Sequence, residues 1–157
     1  MKRSMLFVSL MAAVTAFGVS TAGAGTPVEV SLVGCYYNGG GHATVPAGSD
    51  VTVRFGWGES NRGRVENFLN AQTTSADVDG VPVAGASSLW GPIQNNVTFW
   101  RTFAGSLNNA GDSVTVHMQI TLSHVVSEGK DPDTGDHLKA GPGPILPADF
   151  GCTITAT

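Results

Sequence analysis

A strict alternation of apolar and polar side chains between residues 114 and 122 constrains the fold of this chain more than any other feature. The apolar positions share one parity: Val114, Val116, Met118, Ile120 and Leu122. The polar positions share the other: Thr115, His117, Gln119 and Thr121. Because successive side chains of a β-strand point to opposite faces of the sheet, the pattern predicts a strand with one buried and one solvated face. Such strands build sandwiches of two antiparallel sheets.

Shorter segments repeat this period of two between turn sequences. One of them places four apolar residues on one face: Val51, Val53, Phe55 and Trp57. Further strands are predicted at about 27–35 and 150–156. Asp79-Gly80 stands between two short apolar runs and predicts a type I′ hairpin. Pro82 follows it and predicts a sheet edge, since proline cannot donate a ladder hydrogen bond.

One short helix and one long loop complete the predicted architecture. Asn61 is a favourable N-cap, and Val65, Phe68 and Leu69 follow at helical spacing up to about residue 72. The stretch Glu128–Pro147 is rich in proline and glycine and predicts a connecting loop. With about seven short strands between turns, the chain resembles an immunoglobulin-like antiparallel β-sandwich in architecture. A single all-β domain over residues 25–157 is predicted.

The first 24 residues predict a secretion signal that is removed. A basic start at residues 1–3 precedes an apolar run from Met5 to Val19, and residues 22–24 (Ala-Gly-Ala) form a small-residue cleavage pattern. The alternative is an uncleaved anchor, but the run is shorter than the ~20 apolar residues that span a bilayer. We therefore expect a secreted protein, extracellular or in the cell envelope, without a membrane span.

Cys35 and Cys152 are the only cysteines, and we expect them to form a disulfide because export places them in an oxidising compartment. Both fall in segments predicted as strands, near the two ends of the mature chain. The alternative is lipidation of Cys35, since residues 32–35 (Leu-Val-Gly-Cys) resemble a bacterial lipobox. That motif lies unusually far from the apolar run, and lipidation would leave Cys152 without a partner.

The charge of the mature chain argues against some partners. The sequence holds 8 basic and 12 acidic residues, so removal of the two basic residues at the start leaves 6 against 12, a net charge of −6. An acidic domain gains nothing from counterion release on nucleic acid, and anionic lipid repels it. The neighbouring Arg54, Arg62 and Arg64 are expected to pair with Glu59 and Glu66; the alternative is that they bind a carboxylate.

No pattern typical of catalysis was found. Residues 58–62 (Gly-Glu-Ser-Asn-Arg) depart from Gly-x-Ser-x-Gly at the last position, and helix capping explains them more simply. The four histidines do not stand in a paired ligand spacing, and no copper-binding pattern follows Cys152. The sequence therefore predicts a non-catalytic domain that acts by binding or structure. The alternative is a small extracellular enzyme or a calcium-dependent binding protein.

Two groups of residues are candidate ligand sites. Asp131, Asp133 and Asp136 lie within six residues of one another and offer hard oxygen ligands for calcium, although the EF-hand spacing is absent. The alternative is a solvated acidic loop. In a strand predicted at 97–103, Val97, Phe99 and Phe103 are assigned to the buried face. Trp100 is assigned to the opposite face and Trp90 to a loop, where both could contact a glycan or a protein; the alternative is packing.

The calcium hypothesis is tested by scanning calorimetry of the mature protein. If the three aspartates bind Ca²⁺ in the folded state only, millimolar Ca²⁺ should raise the melting temperature relative to chelator, and Mg²⁺ should raise it less. Equal melting temperatures with Ca²⁺, Mg²⁺ and chelator would reduce the segment to a solvated connector.

Overall fold

A computed structural model describes residues 25–130, 137–145 and 148–157. The described residues form eleven strands: β1 (Thr26–Ser31), β2 (His42–Val45), β3 (Ser49–Gly58), β4 (Gln72–Val78), β5 (Val81–Pro82), β6 (Val97–Leu107), β7 (Ser113–Leu122), β8 (Val126–Lys130), β9 (His137–Ala140), β10 (Gly143–Pro144) and β11 (Cys152–Ala156). The helices are α1 (Leu32–Gly39) and α2 (Arg62–Ala71), and a short 3-10 turn spans Ala86–Ser88. The all-β sandwich is thus confirmed, whereas the number of strands exceeds the seven or so that were expected.

Two sheets pack face to face. A three-stranded sheet has the order β1-β3-β6, and a six-stranded main sheet has the order β2-β11-β7-β4-β5, with β10 also paired to β7. Two pairings, β1 with β3 and β2 with β11, are parallel, and the sandwich is otherwise antiparallel among the described strands. The immunoglobulin-like topology stays a prediction.

The strongest sequence pattern lies at the centre of the main sheet. The five apolar residues of β7 are at most 3% exposed, while Gln119 and Thr121 between them are exposed. The facing sheet supplies β3, where Val51 and Val53 are fully buried and Phe55 and Trp57 nearly so. The predicted faces of both strands are therefore confirmed, and the core lies between them.

Helix α2 covers one end of this core, as predicted. The Asn61 side chain accepts a hydrogen bond from the Arg64 backbone N–H at 3.1 Å, which satisfies a donor that the first helical turn leaves free. Val65 and Phe68 are fully buried. The Phe68 ring stacks on Trp57 with a centroid distance of 4.1 Å, and this contact fixes the helix against the end of β3.

Helix α1 was not predicted. The first strand ends at Ser31 rather than near Cys35, and the Ser31 Oγ accepts a hydrogen bond from the Gly34 N–H at 3.2 Å. Leu32 and Cys35, three residues apart on the helix, are both buried. Gly40 ends the helix in the left-handed region at φ 60°, which glycine adopts without a steric cost. Residues 25–130, 137–145 and 148–157 therefore contain two α-helices, where one was expected.

The predicted hairpin is present between β4 and β5. Asp79 has φ 51° and Gly80 has φ 77°, and two successive positive φ angles define the type I′ turn. Pro82 pairs with Asp77 in β5, the last strand at this edge of the main sheet. Asn or Asp followed by Gly tolerates this geometry best, which explains why this local prediction was accurate.

The stretch predicted as one connecting loop, Glu128–Pro147, instead contributes ordered strands. β8 and β9 form an antiparallel ribbon with Val126 opposite Ala140, and both residues are buried. β10 then pairs with β7 beyond the end of β11, so Pro144 needs no donor on its free side. Pairing partners far along the chain decided this structure, and local composition did not reveal them.

The two cysteines form the expected disulfide, with their Cα atoms 5.9 Å apart. Cys35 lies on α1 rather than on a strand, and Cys152 opens β11. Both residues are buried. The bond ties the helix that follows the first strand to the main sheet, across 117 residues of sequence.

Alanine substitutions in β7 should distinguish its buried face from its exposed face by their effect on the free energy of unfolding. Replacing Ile120, which is 1% exposed, with alanine should lower the free energy of unfolding by about 2–5 kcal/mol, because apolar contacts are lost and a cavity remains. Replacing its exposed neighbour Thr121 with alanine should cost less than about 1 kcal/mol. Urea denaturation measures both, and the reverse ranking would contradict the register.

Reduction of the disulfide should destabilise the fold without changing its topology. Closing a loop of this length lowers the entropy of the unfolded chain, so reduction should cost about 2–5 kcal/mol. Native mass spectrometry with and without reductant should differ by about 2 Da, the mass of two hydrogens. A Cys35→Ala/Cys152→Ala variant should match the reduced protein in urea denaturation; stability equal to the oxidised form would contradict the prediction.

Candidate binding surfaces

Trp90 and Trp100, the two tryptophans predicted as ligand contacts, pack mainly against other residues of the protein. Trp100 is fully buried and donates its indole N–H to the Ala86 carbonyl at 2.8 Å. Trp90 is half-buried; its N–H bonds to the Thr74 hydroxyl at 3.0 Å. The Trp90 ring also meets Phe55 and Phe68 edge to face. The ring of Trp100 therefore offers no surface to a ligand.

The assignment of faces in β6 was wrong. Thr98 and Trp100 point into the core, whereas Phe103 is 59% exposed. Both faces of this strand carry apolar residues. The alternation of side chains therefore assigned the residues to two faces correctly, but it could not show which face is buried. Trp100 lies opposite Phe55 in the ladder, and the larger ring fills the space between the sheets.

The outer surface of the three-stranded sheet carries a compact group of charges. Glu29 on β1 accepts from the Nε of Arg54 on β3 at 3.0 Å and from the Nε of Arg101 on β6 at 2.8 Å. All three side chains are half-exposed, between 38% and 45%. One carboxylate thus links the three strands. Arg54 was expected to pair with Glu59 or Glu66, and this prediction was wrong because it pairs with Glu29. Arg62 does pair with Glu66, at 2.8 Å.

Phe99 lies among these charges. Its ring covers Gly56, where an added Cβ would come within 2.9 Å of the ring, so only glycine leaves room for it. The guanidinium carbons of Arg54 and Arg101 lie 5.2 and 4.8 Å from the ring centroid, within the range of a cation–π attraction. We call this surface the arginine–phenylalanine face; its members are Glu29, Arg54, Phe99, Arg101 and Phe103.

A second candidate site lies on the outer surface of the main sheet. A groove of about 250 Å³ is lined by residues of β4, β5 and β7: Ser75, Ala76, Asp77, Pro82, His117 and Gln119. Asp77 pairs directly with His117, and Ser75 with Gln119. The sequence predicted that His117 and Gln119 lie on the outer face of β7. Their partners on β4, Asp77 and Ser75, are determined by the strand register.

His117 is held from the other side of β7. Its Nδ1 lies 2.8 Å from the Asp149 Oδ2, and Asp149 belongs to the segment that leads into β11. A Cβ at Gly151 would lie 3.3 Å from the His117 ring, so the missing side chain lets the imidazole lie close to the backbone. An ionised carboxylate can only accept, so the Nδ1–H donates to Asp149 and this contact orients the imidazole ring. No sequence signal connected Asp149 with His117.

The remaining sequence candidates are dispersed. The Ser60 Oγ accepts from the Arg64 Nη1 at 3.1 Å, and the neighbouring Asn61 is the residue that caps α2. His124 Nε2 lies 2.9 Å from the Asn67 Oδ1, at the surface as expected. Among the described residues no group of three or more His, Cys, Asp or Glu is arranged to hold a metal ion. The predicted calcium ligands Asp131, Asp133 and Asp136 lie outside the described residues, as does the predicted signal at residues 1–24.

Comparison of the chain with protein-family models, with curated proteins and with solved structures found no match. In the part of the chain that the structure describes, no helix is both long enough and apolar enough to cross a membrane.

Proposed function

We propose that this chain is a secreted, non-catalytic β-sandwich domain that acts outside the cell or in the cell envelope by binding a protein partner. The arginine–phenylalanine face is the binding surface. The observation that carries the proposal is Phe103, whose large apolar ring is 59% exposed next to two half-exposed arginines on a sheet face that points to solvent.

The energetics of such a surface favour association. Burying a phenylalanine side chain fully contributes about 1.5–3 kcal/mol, and part of this remains to be gained at Phe103. Arginine and aromatic residues dominate the binding energy of protein interfaces. The β-sheet also holds the group rigidly, since the Glu29 carboxylate already fixes Arg54 and Arg101, so little side-chain entropy is lost on binding.

The chemistry of the face indicates the kind of partner. A guanidinium has five N–H donors, and the contacts with Glu29 use only the Nε–H of each arginine. The remaining donors match a carboxylate, which a planar guanidinium can bind through two parallel hydrogen bonds. We therefore propose a protein segment that presents a carboxylate beside an apolar side chain. A second copy of this chain is a poor candidate, because two acidic molecules repel each other.

Two further observations support the setting. The Cys35–Cys152 disulfide is typical of proteins that mature in an oxidising compartment, in agreement with the predicted secretion signal. The hydroxyl of Ser60, the one serine in a nucleophile-like sequence, bonds to an arginine rather than to a base. Nucleophilic catalysis needs a base within hydrogen-bond reach of the nucleophile, and these contacts favour a binding role.

The proposal is tested with a fluorescent peptide in which glutamate alternates with leucine, compared with its glutamine counterpart. Fluorescence anisotropy should show at least about tenfold tighter binding of the glutamate peptide, since hydrogen bonds between charged groups are the stronger ones. Phe103→Ala and the double change Arg54→Gln/Arg101→Gln should each weaken that binding by about tenfold or more.

The matched control is Arg62→Gln, which removes an exposed and paired arginine from α2, away from the face. It should leave binding unchanged. Equal binding of the two peptides, or equal losses in the control and in the Arg54/Arg101 variant, would overturn the proposal. Arginine-dependent binding of an oligouronic acid without binding of the peptide would overturn it in favour of an acidic glycan.

A further inference from the structure

The groove beside His117 lies on the opposite outer surface of the sandwich from the arginine–phenylalanine face. The groove has a volume of about 250 Å³, and its polar groups come from two paired strands. Water occupies about 30 Å³ per molecule, so the volume suits a ligand of a few heavy atoms. The rigid ladder fixes the spacing of the polar groups.

The groove offers hydrogen-bond acceptors in a negative field. The Asp77 carboxylate accepts from the Gly80 N–H through Oδ1 at 3.1 Å, and its second oxygen has no further contact among the described residues. The Ser75 hydroxyl can also accept. No lysine or arginine is among the residues that line the groove.

The surroundings of His117 add to this field. Asp149 lies on its other side, and its Oδ1 is buried without a hydrogen-bond partner among the described residues. Asp79 follows Asp77 on the hairpin, where it accepts from the Thr115 N–H at 2.8 Å. Asp77 and Asp149 thus lie on either side of His117. A ligand with a positive charge and several N–H donors would complement the acceptors of the groove.

We propose that this groove binds a small primary amine as its ammonium ion. An –NH₃⁺ group has three donors and no acceptor, and the groove offers the two Asp77 carboxylate oxygens and the Ser75 hydroxyl as acceptors. Pro82, opposite Asp77 in the ladder, supplies apolar surface for the methylene groups next to the charge. Gln119 completes the rim, where its amide contacts solvent or a polar substituent of the ligand. The inference does not depend on the proposed protein partner.

The test is a nuclear magnetic resonance titration of the mature, disulfide-intact protein at neutral pH with n-butylammonium chloride. The backbone amide signals of Asp77, His117 and Gln119 should shift and saturate in the millimolar range, which is typical of so small a ligand. 1-Butanol has the same chain length without the charge, and it should bind at least about tenfold more weakly because the charged hydrogen bonds are lost.

Two variants locate the binding. Asp77→Asn removes the charge while its side-chain oxygen still accepts from Gly80, and it should weaken the amine by about tenfold or more. Gln119→Glu adds a carboxylate at the rim and should tighten binding severalfold. The matched control, Asp50→Asn, removes an equal charge from the outer surface of the other sheet and should leave the affinity unchanged.

The outcomes that overturn the inference are specific. Equal midpoints for butanol and butylammonium would show an apolar depression without charge recognition. An equal loss in Asp50→Asn would show a general attraction to an acidic protein, and unshifted amides at saturating amine would show that the groove is not a site. Melting temperatures of all variants separate loss of binding from loss of fold, and Gln119→Glu tests the groove even if Asp77→Asn unfolds.

Discussion

The apolar core that β3 and β7 share between the two sheets is the interaction on which the rest of the structure depends. Val51 and Val53 in one sheet, and Val116 and Met118 in the other, are fully removed from water. At roughly 25 cal/mol per Å² of apolar surface, burial of this kind is the main favourable term in folding. The other elements extend this layer, as α2 does when Phe68 stacks on Trp57.

The same core determines which side chains lie on the outer surfaces of the two sheets. Since inward and outward positions alternate, each buried residue of β7 places a polar neighbour on the outside of the main sheet, and His117 and Gln119 lie in the groove for this reason. On the other sheet, Arg54 lies between the buried Val53 and Phe55. Both candidate sites are therefore rigid features of the sandwich rather than of loops, and their geometry depends on the ladder registers.

Two glycines and the disulfide fix the positions of groups that strand pairing does not hold. At Gly56 and Gly151 the absence of Cβ lets the Phe99 and His117 rings lie close to the backbone, and each ring belongs to a candidate site. The Cys35–Cys152 bond joins α1 to the main sheet, where the helix would otherwise depend on Leu32 and a few further contacts. Each device fixes a group whose position the strand pairing alone leaves open.

Local patterns in the sequence were sufficient for several elements. The burial of β7 and β3, the Asn61 cap of α2, the Asp79-Gly80 hairpin and the cysteine pairing all follow from residue type and short-range spacing. Each of these features depends on interactions within a few residues, or on an even count of cysteines in an exported chain. For that reason a single sequence predicts them without a partner strand.

Tertiary structure decided the rest, because the missing information lay in segments distant along the chain. Only the opposing sheet could determine that Trp100 rather than Phe103 is buried in β6, since both faces of that strand are apolar. Only the ladder registers could bring Glu29 to Arg54 and Arg101, and Asp77 to His117. The sequence by itself determined an all-β chain with one disulfide. Long-range pairing decided which outward side chains meet, and with them the two surfaces proposed to bind.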